Sequence, residues 1–210
     1  MKIVMATGNE GKVKELKTLL KELDYEVMSL KDFENIEEVP ETGTSFLENS
    51  VQKVTGYAKQ VNCACVADDS GLCVDALNGA PGIYSARFAP SDKERCEKLL
   101  DLMKEENNRY AYFCCFATLR MPKEYIDKIK GKEKELDCQT VSDNIVACTG
   151  ILEGEIAREM KGSNGFGFDP VFMVTEKGKH LAELSSEEKN AISHRGKAMR
   201  KIKKILEFVI

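Results

Sequence analysis

The sequence has 210 residues, of which 42% are hydrophobic and 31% are charged, and its formal net charge at pH 7 is -4. This length allows one large α/β domain over residues 1–210, or two lobes that share a sheet, and no second independent domain is needed. The acidic charge argues against nucleic acid and membrane surfaces as partners. No apolar run approaches a membrane span, and residues 1–6 are too short for a signal peptide, so we expect a cytoplasmic protein.

The eight cysteines are expected to be reduced core residues. Several of them lie inside apolar runs, such as residues 63–65 and 113–116, which is unlike the framework of a small disulfide-rich domain. The sequence contains no Cys-x-x-Cys pair and has two histidines, which argues against a zinc site.

A glycine-containing loop follows the first predicted strand, residues 3–6, and precedes a predicted helix. Backbone N–H groups at the start of that helix, together with the charge of Lys12, favour a bound phosphate. The glycine spacing is shorter than in a P-loop and Val13 stands where a Ser or Thr would follow the lysine, so a plain strand-to-helix turn is the alternative. The loop consists of Thr7, Gly8, Asn9, Glu10, Gly11 and Lys12.

The next segment is predicted to be a strand over residues 25–30, an acidic loop over residues 32–41, and then a helix from Ser45 onward. Glu41 lies in a turn that follows Pro40. Lys53 lies on the helix, where a lysine is by default a solvated surface residue.

A short apolar run, residues 63–67, ends in Asp68, Asp69, Ser70 and Gly71. We interpret it as a buried strand that turns at Gly71, which would put both aspartates at the carboxyl edge of a sheet, where ligands bind in open α/β folds. Adjacent strand residues point to opposite faces, so one aspartate would face the chemistry and the other would support it. The alternative is an ordinary polar turn.

The middle of the chain is mostly structural in this interpretation. Residues 79–88 form a loop that carries Arg87, and loops of this kind often bind ligands. Ser91 and Glu94 form a capping box before a helix, and residues 110–119 predict a strand buried on both faces. Residues 122–137 predict an exposed, helical excursion between paired strands, and residues 145–156 predict a hairpin or bulge around Gly150 and Gly154.

Two further segments carry candidate binding residues. In residues 162–170 two phenylalanines stand beside an acid, which suits stacking on a base, although a tight loop with core anchors fits equally well. Ser185 with Glu188, and then Ser193, predict the starts of two helices. The residues concerned are Phe166, Gly167, Phe168 and Asp169 in the loop, and Lys189, His194 and Arg195 where the two helices meet.

Taken together, these segments resemble the inosine triphosphate pyrophosphatase family from end to end. The resemblance rests on residues 7–12, on residues 41–43 with Glu48, Asn49 and Lys53, and on residues 67–72, 79–87, 165–170 and 188–196. Six matches in order are far more specific than any one of them. Residues 122–140 depart from the family pattern by being longer than the usual connection.

The resemblance implies an α/β fold with a long, twisted mixed sheet and two lobes around a substrate cleft, assembled as a homodimer. It implies a purine nucleoside triphosphate substrate, Mg²⁺ held by Glu41 and Asp69, and Asp69 as the catalytic base. Residues 7–12 would hold the triphosphate. The further substrate contacts would come from Lys53, Ser70, Arg87, Phe166, Gly167, Phe168, Asp169, Lys189, His194 and Arg195.

The implied reaction is attack of water on the α-phosphorus, which yields a nucleoside monophosphate and pyrophosphate. Cations must stabilise the leaving group and a carboxylate can activate the water. Arg195 can only donate hydrogen bonds, so it would accept a 6-keto purine and reject adenine.

Three alternatives compete with this interpretation. A Maf-like pyrophosphatase is disfavoured by residues 166–169 and 193–195, and a nucleotide-sensing module would not need acidic metal ligands. A phosphatase with an aspartyl nucleophile is disfavoured because no Asp-x-Asp follows the strand.

Overall fold

The computed structural model describes residues 1–210 as an α/β fold with seven helices and eight strands. The strands are β1 (Lys2–Met5), β2 (Glu26–Ser29), β3 (Ala64–Val74), β4 (Tyr110–Arg120), β5 (Gln139–Ser142), β6 (Ile145–Ile156), β7 (Phe172–Val174) and β8 (Lys179–His180). The helices are α1 (Glu10–Leu19), α2 (Phe46–Val61), α3 (Asp92–Leu102), α4 (Lys123–Ile129), α5 (Glu133–Leu136), α6 (Ser186–Ile192) and α7 (His194–Val209). No helix combines the length and apolar character needed to cross a membrane.

One mixed sheet has the strand order β2-β1-β3-β4-β6-β7-β8, and β5 pairs with β6. β1 is parallel to both of its neighbours, with Val4 opposite Met28 of β2 and opposite Cys65 of β3. β5 and β7 run antiparallel to β6, and β8 runs antiparallel to β7. The predicted mixed α/β sheet is therefore confirmed.

The chain divides into two compact units. The first comprises Met1–Asp69, Phe116–Thr149 and Ala198–Ile210, and the second comprises Ser70–Cys115 and Gly150–Lys197. β3, β4 and β6 each contribute residues to both units.

The first unit buries one face of β1 and β3 against α2. Val4 and Cys65 on the strands pack with Val54 and Ala58 on the helix, and all four are at most 1% exposed. One side of α7 is buried as well, and it carries Met199, Ile202, Ile205, Leu206 and Val209. The predicted helix starts are confirmed as well, with Ser45, Ser91 and Ser185 as N-caps of α2, α3 and α6.

The second unit has its own core. Leu72 on β3, Leu99 on α3 and Phe172 on β7 are fully buried in it. The rings of Phe113 and Phe172 lie 4.7 Å apart, centroid to centroid. A capping box of Ser91 and Glu94, as predicted, fixes the start of α3.

Six of the eight thiols are buried. Burial raises the pKa of Cys65 to about 12 and that of Cys96 to about 11. These side chains are therefore neutral thiols at physiological pH and behave as small core residues.

Two predictions about glycines were wrong. β3 does not turn at Gly71 but continues to Val74. Of the hairpin or bulge predicted around Gly150 and Gly154, the hairpin is wrong, because β6 is one strand of 12 residues. Both glycines lie in regular strand, where glycine is tolerated although it is usually depleted. At Gly154 a side chain would overlap the ring of Phe172 and the carbonyl of Met173, so the glycine permits a close approach of β7.

The excursion at residues 122–137 is helical, as predicted, but it is not simply exposed. α4 and α5 bury Ile126, Ile129 and Leu136 almost completely. The prediction of exposure rested on the alternating lysines and acids of this segment and overlooked these three apolar residues.

We therefore expect Ile129→Ala to lower the free energy of unfolding by about 2–5 kcal/mol, because it leaves a cavity in a closed site. Lys134→Ala, on an exposed position of α5, should change it by about 0.5 kcal/mol or less. Urea denaturation of both variants measures the difference, and equal small effects would contradict a packed excursion.

Candidate active site

Strand alternation sends the two adjacent aspartates of β3 to different partners. Asp68 is 3% exposed and its carboxylate accepts a hydrogen bond from Lys12 Nζ at 2.7 Å. Asp69 accepts from Asn49 Nδ2 at 3.1 Å and from Lys53 Nζ at 3.4 Å, and both donors are on α2. The two side chains therefore have different partners, as expected for adjacent strand residues, although both lie within the strand and not at its end. Which aspartate faces the chemistry stays a prediction.

The predicted phosphate loop joins β1 to the first turn of α1. Asn9 caps the helix, since its side chain accepts from the Lys12 backbone N–H at 3.3 Å, and the Thr7 hydroxyl accepts from the Asn9 N–H at 3.2 Å. Gly8, Glu10 and Gly11 are exposed, and the Glu10 carboxylate pairs with Lys31. The strand-loop-helix pattern is thus confirmed, whereas phosphate binding stays a prediction.

Lys53 is not a solvated surface lysine. Its side chain is 13% exposed and its ammonium lies 3.3 Å from Glu41 Oε2 and 3.4 Å from Asp69 Oδ1. Glu41 comes from the irregular segment before α2, where the Thr42 N–H donates to Gln52 Oε1 at 2.9 Å. One cation therefore holds together two carboxylates that are 28 positions apart in sequence, from Glu41 to Asp69.

The environment of Asp69 changes its acidity. Burial raises the pKa of its carboxyl group, and the nearby Glu41 carboxylate raises it further. The Lys53 ammonium and the Asn49 hydrogen bond act in the opposite direction, but the net pKa lies above the ordinary aspartate value. Such an upward shift brings a carboxylate closer to the range that suits a general base.

The donor chemistry of Glu41 and Asp69 fits magnesium. Both are carboxylates, and they already converge on one positive charge. No group of three or more His, Cys, Asp or Glu side chains in residues 1–210 could hold a metal unaided. Mg²⁺ commonly takes one or two protein carboxylates and completes its shell with water and substrate phosphate, so a two-carboxylate site is sufficient.

A second group of predicted residues is assembled in the second unit around Asp169. This carboxylate is 3% exposed, accepts from the Phe166 N–H at 2.8 Å and pairs with Lys189 of α6. Burial raises the pKa of Asp169 whereas the Lys189 ammonium lowers it, and the net shift is upward. Gly165 has φ +81°, and a side chain there would overlap the Asp169 carboxylate.

The two phenylalanines of this loop differ in their exposure to solvent. Phe166 is 69% exposed, and Lys189 Nζ lies 4.2 Å from the centroid of its ring. Phe168 is 3% exposed and packs on Phe88 at 5.9 Å between ring centroids. Phe166 is therefore available for stacking, whereas Phe168 is the core anchor that the alternative interpretation described. The adjacent Gly167 N–H donates to Asp92 Oδ2 at 2.7 Å.

Ser193 lies at the junction of α6 and α7, where the sequence predicts a helix start. Ser193 caps α7 by accepting from the Gly196 N–H at 3.0 Å, and the ring of His194 stacks on Phe113 with centroids 4.8 Å apart and planes 9° apart. Arg195 is half-buried, which is unlike a solvated arginine on a helix surface.

The structure gives less support for Ser70 and Arg87 as substrate contacts. Ser70 follows Asp69 on β3 and is half-buried. Arg87 ends a short 3₁₀ helix, Gly82–Arg87, is exposed, and has its guanidinium carbon 5.6 Å from the Tyr84 ring centroid. Neither residue has a contact that assigns it a role.

Sequence reasoning quoted Asn49 but missed its place beside Asp69, and it missed the contact of Asp92 with the Gly167 backbone. A signal for Asn49 was present, because Asn49 and Lys53 are four residues apart and therefore share a face of α2. No sequence pattern connects Asp92 with Gly167, since 75 residues separate them.

Comparison with known proteins shows which family the chain belongs to. Residues 3–205 match the Ham1 family. The chain belongs to the Ham1 family. The predicted resemblance to inosine triphosphate pyrophosphatases is thereby confirmed.

Ham1 relatives are similar in sequence and in structure. A dITP/XTP pyrophosphatase of Bacillus anthracis is 45% identical over 205 residues, which is 95% of this chain and 93% of the relative. A dITP/XTP pyrophosphatase of Bacillus subtilis is 42% identical over 97% of this chain and 96% of its own. The structure of a HAM1 protein from Coxiella burnetii superposes with a TM-score of 0.85 at 36% identity, covering 99% of this chain and 98% of that one.

The contacts of Lys53 predict an effect on acidity. Lys53→Met should raise the pKa of Asp69 further, because the positive charge that lowers it is removed. A ¹³C NMR titration of the Asp69 carboxyl carbon measures the shift. Lys59→Met, an exposed lysine on the same helix, is the matched control and should leave that pKa where it is. An unchanged pKa in Lys53→Met would contradict the ion pair.

Proposed function

We propose that this Ham1 protein hydrolyses non-standard purine nucleoside triphosphates, namely dITP, ITP and XTP, to the nucleoside monophosphate and pyrophosphate. The observation that carries the proposal is the convergence of the Asp69 and Glu41 carboxylates on the Lys53 ammonium. Support also comes from relatives in Bacillus, which are named dITP/XTP pyrophosphatases. The activity would remove these nucleotides from the precursor pool.

The proposed chemistry begins with a water molecule placed in line with the α-phosphorus. Asp69 would accept a proton from this water, and its raised pKa makes it a stronger base than an ordinary aspartate. General base catalysis of this kind typically contributes about 10²–10⁴-fold in rate. The bond to the β-phosphate oxygen then breaks and pyrophosphate leaves.

Positive charge in the first unit suits the triphosphate tail. Lys12 and the first backbone N–H groups of α1 would bind its oxygens, and the cap at Asn9 orients those groups. Lys53 would neutralise charge that develops on the leaving group. Glu41 and Asp69 would hold Mg²⁺, which when bound supplies further neutralisation of phosphate charge.

Residues of the second unit suit recognition of the purine base. The exposed ring of Phe166 can stack on a base, and the contact of Lys189 with both that ring and Asp169 fixes the loop. The Arg195 guanidinium can donate to a 6-keto oxygen, whereas the 6-amino group of adenine would face it with another donor. His194, next to Arg195, would also contact the base, and its ring is held in place by the stack on Phe113.

Assembly and location form a further part of the proposal. The family resemblance supports a homodimer that works in the cytoplasm. Sedimentation of the purified chain would test the dimer, and a mass of 23.5 kDa in solution would contradict it.

Product analysis tests the proposed reaction. Purified protein is incubated with Mg²⁺ and dITP, XTP, ATP or GTP, and pyrophosphate and orthophosphate are measured separately. We expect stoichiometric pyrophosphate and monophosphate from dITP and XTP. Orthophosphate release would indicate a phosphatase, and tight binding without products would indicate a sensing module.

Asp69→Asn should lower the turnover of dITP by about 100-fold or more, because the amide cannot accept the proton of the attacking water. Circular dichroism and thermal unfolding establish that the variant is folded. Near-normal turnover in a folded variant would show that Asp69 is not the base.

Arg195→Ala should lower kcat/KM for dITP and XTP much more than for ATP. The preference for dITP and XTP over ATP should therefore shrink by about 1–3 kcal/mol. Steady-state kinetics with the three substrates measures this difference. A uniform decrease would mean that Arg195 contacts phosphate or supports the fold, and base choice would then rest on the backbone of residues 166–169.

A further inference from the structure

We propose that Asn49 is a positioning residue for the proposed hydrolysis, and the inference rests on that function. Asn49 fixes the Asp69 carboxylate with one end of its carboxamide and the segment that carries Glu41 with the other. It would thereby set the geometry of the Asp69 carboxylate without itself contacting the reacting atoms, while the bond from Gly43 fixes the orientation of the carboxamide.

The carboxamide of Asn49 makes two different hydrogen bonds. Nδ2 donates to Asp69 Oδ2 at 3.1 Å, and Oδ1 accepts from the Gly43 backbone N–H at 2.8 Å. Asn49 is 1% exposed, so its carboxamide is shielded from water. A hydrogen bond to a charged group in such a place contributes more than one between neutral groups.

The Gly43 segment approaches α2 too closely for any other residue. A Cβ at Gly43 would lie 2.6 Å from the Cβ of Glu48 and 2.8 Å from Asn49 Oδ1. Glu48 also binds this segment, because its carboxylate accepts from the Thr44 N–H at 2.6 Å. This close approach holds the Gly43 N–H against Asn49 Oδ1, so that the other end of the carboxamide, Nδ2, faces Asp69.

Only a side chain with a donor and an acceptor at the same distance from the backbone can make both contacts. Aspartate would keep the bond from Gly43 but has no donor for Asp69, and alanine would lose both bonds. Gln52 lies three residues after Asn49 on α2. It binds the same segment through Thr42 but has no hydrogen bond to Asp69. It is therefore a matched control for loosening the segment alone.

The test compares Asn49→Asp, Asn49→Ala and Gln52→Ala with the unaltered protein. Turnover of dITP is measured as kcat and KM by pyrophosphate release, and exchange of the Gly43 amide proton is measured by NMR. Loss of the donor to Asp69 should lower kcat about 10- to 100-fold in both Asn49 variants, with a smaller change in KM. Gly43 exchange should accelerate in Asn49→Ala but not in Asn49→Asp, and Gln52→Ala should keep kcat within about twofold.

The two readouts separate failure of this inference from failure of the proposed function. If the unaltered protein releases no pyrophosphate, the proposed function is wrong, and the positioning role for that reaction falls with it. If the unaltered protein is active and folded Asn49→Asp retains full kcat, the positioning role is wrong while the function stands. An equal loss of kcat in Gln52→Ala would also overturn it, because looseness of the segment would then explain the effect.

Discussion

The two-residue period of a β-strand is the constraint on which the candidate site depends. Because consecutive side chains leave a strand on opposite faces, Asp68 meets Lys12 of α1 and Asp69 meets Lys53 of α2. A shift of one residue in this strand would exchange the two carboxylates and turn Cys65 and Ala67 away from the core that they share with α2. The packing of the first unit and the placing of its acids are thus one property of β3.

Each of the three site aspartates is paired with a lysine. Asp68 has Lys12, Asp69 has Lys53, and in the second unit Asp169 has Lys189. Removing a carboxylate from water is costly, and a paired ammonium offsets part of that cost. The offset is incomplete for Asp69 and Asp169, since burial leaves the pKa of each above its ordinary value.

Local signals predicted much of this structure. Ser45, Ser91 and Ser185 start helices as expected, because capping depends on residues within one turn. The predictions that were wrong concern glycines and long-range packing. Gly71 and Gly150 lie within continuous strands, and Ile129 is fully buried in a segment whose dense charges suggested exposure. A glycine permits a turn but does not require one.

The same distinction applies to the site. Sequence motifs named Glu41, Lys53 and Asp69, but only the fold shows that Lys53 touches both acids. Two phenylalanines separated by one glycine looked equivalent, yet Phe166 is exposed and Phe168 is in the core. Gly165 and Gly167, on either side of Phe166, both have a left-handed φ.

The raised pKa of Asp69 has a consequence for protein engineering. The folded state holds a proton on this carboxyl group more tightly than the unfolded chain does, so its contribution favours folding at low pH and is lost as the pH rises through the folded-state pKa. At neutral pH the ionised acid therefore opposes folding. A selection for heat resistance alone would therefore reward neutral replacements at position 69, and these replacements would remove the carboxylate that we propose as the base.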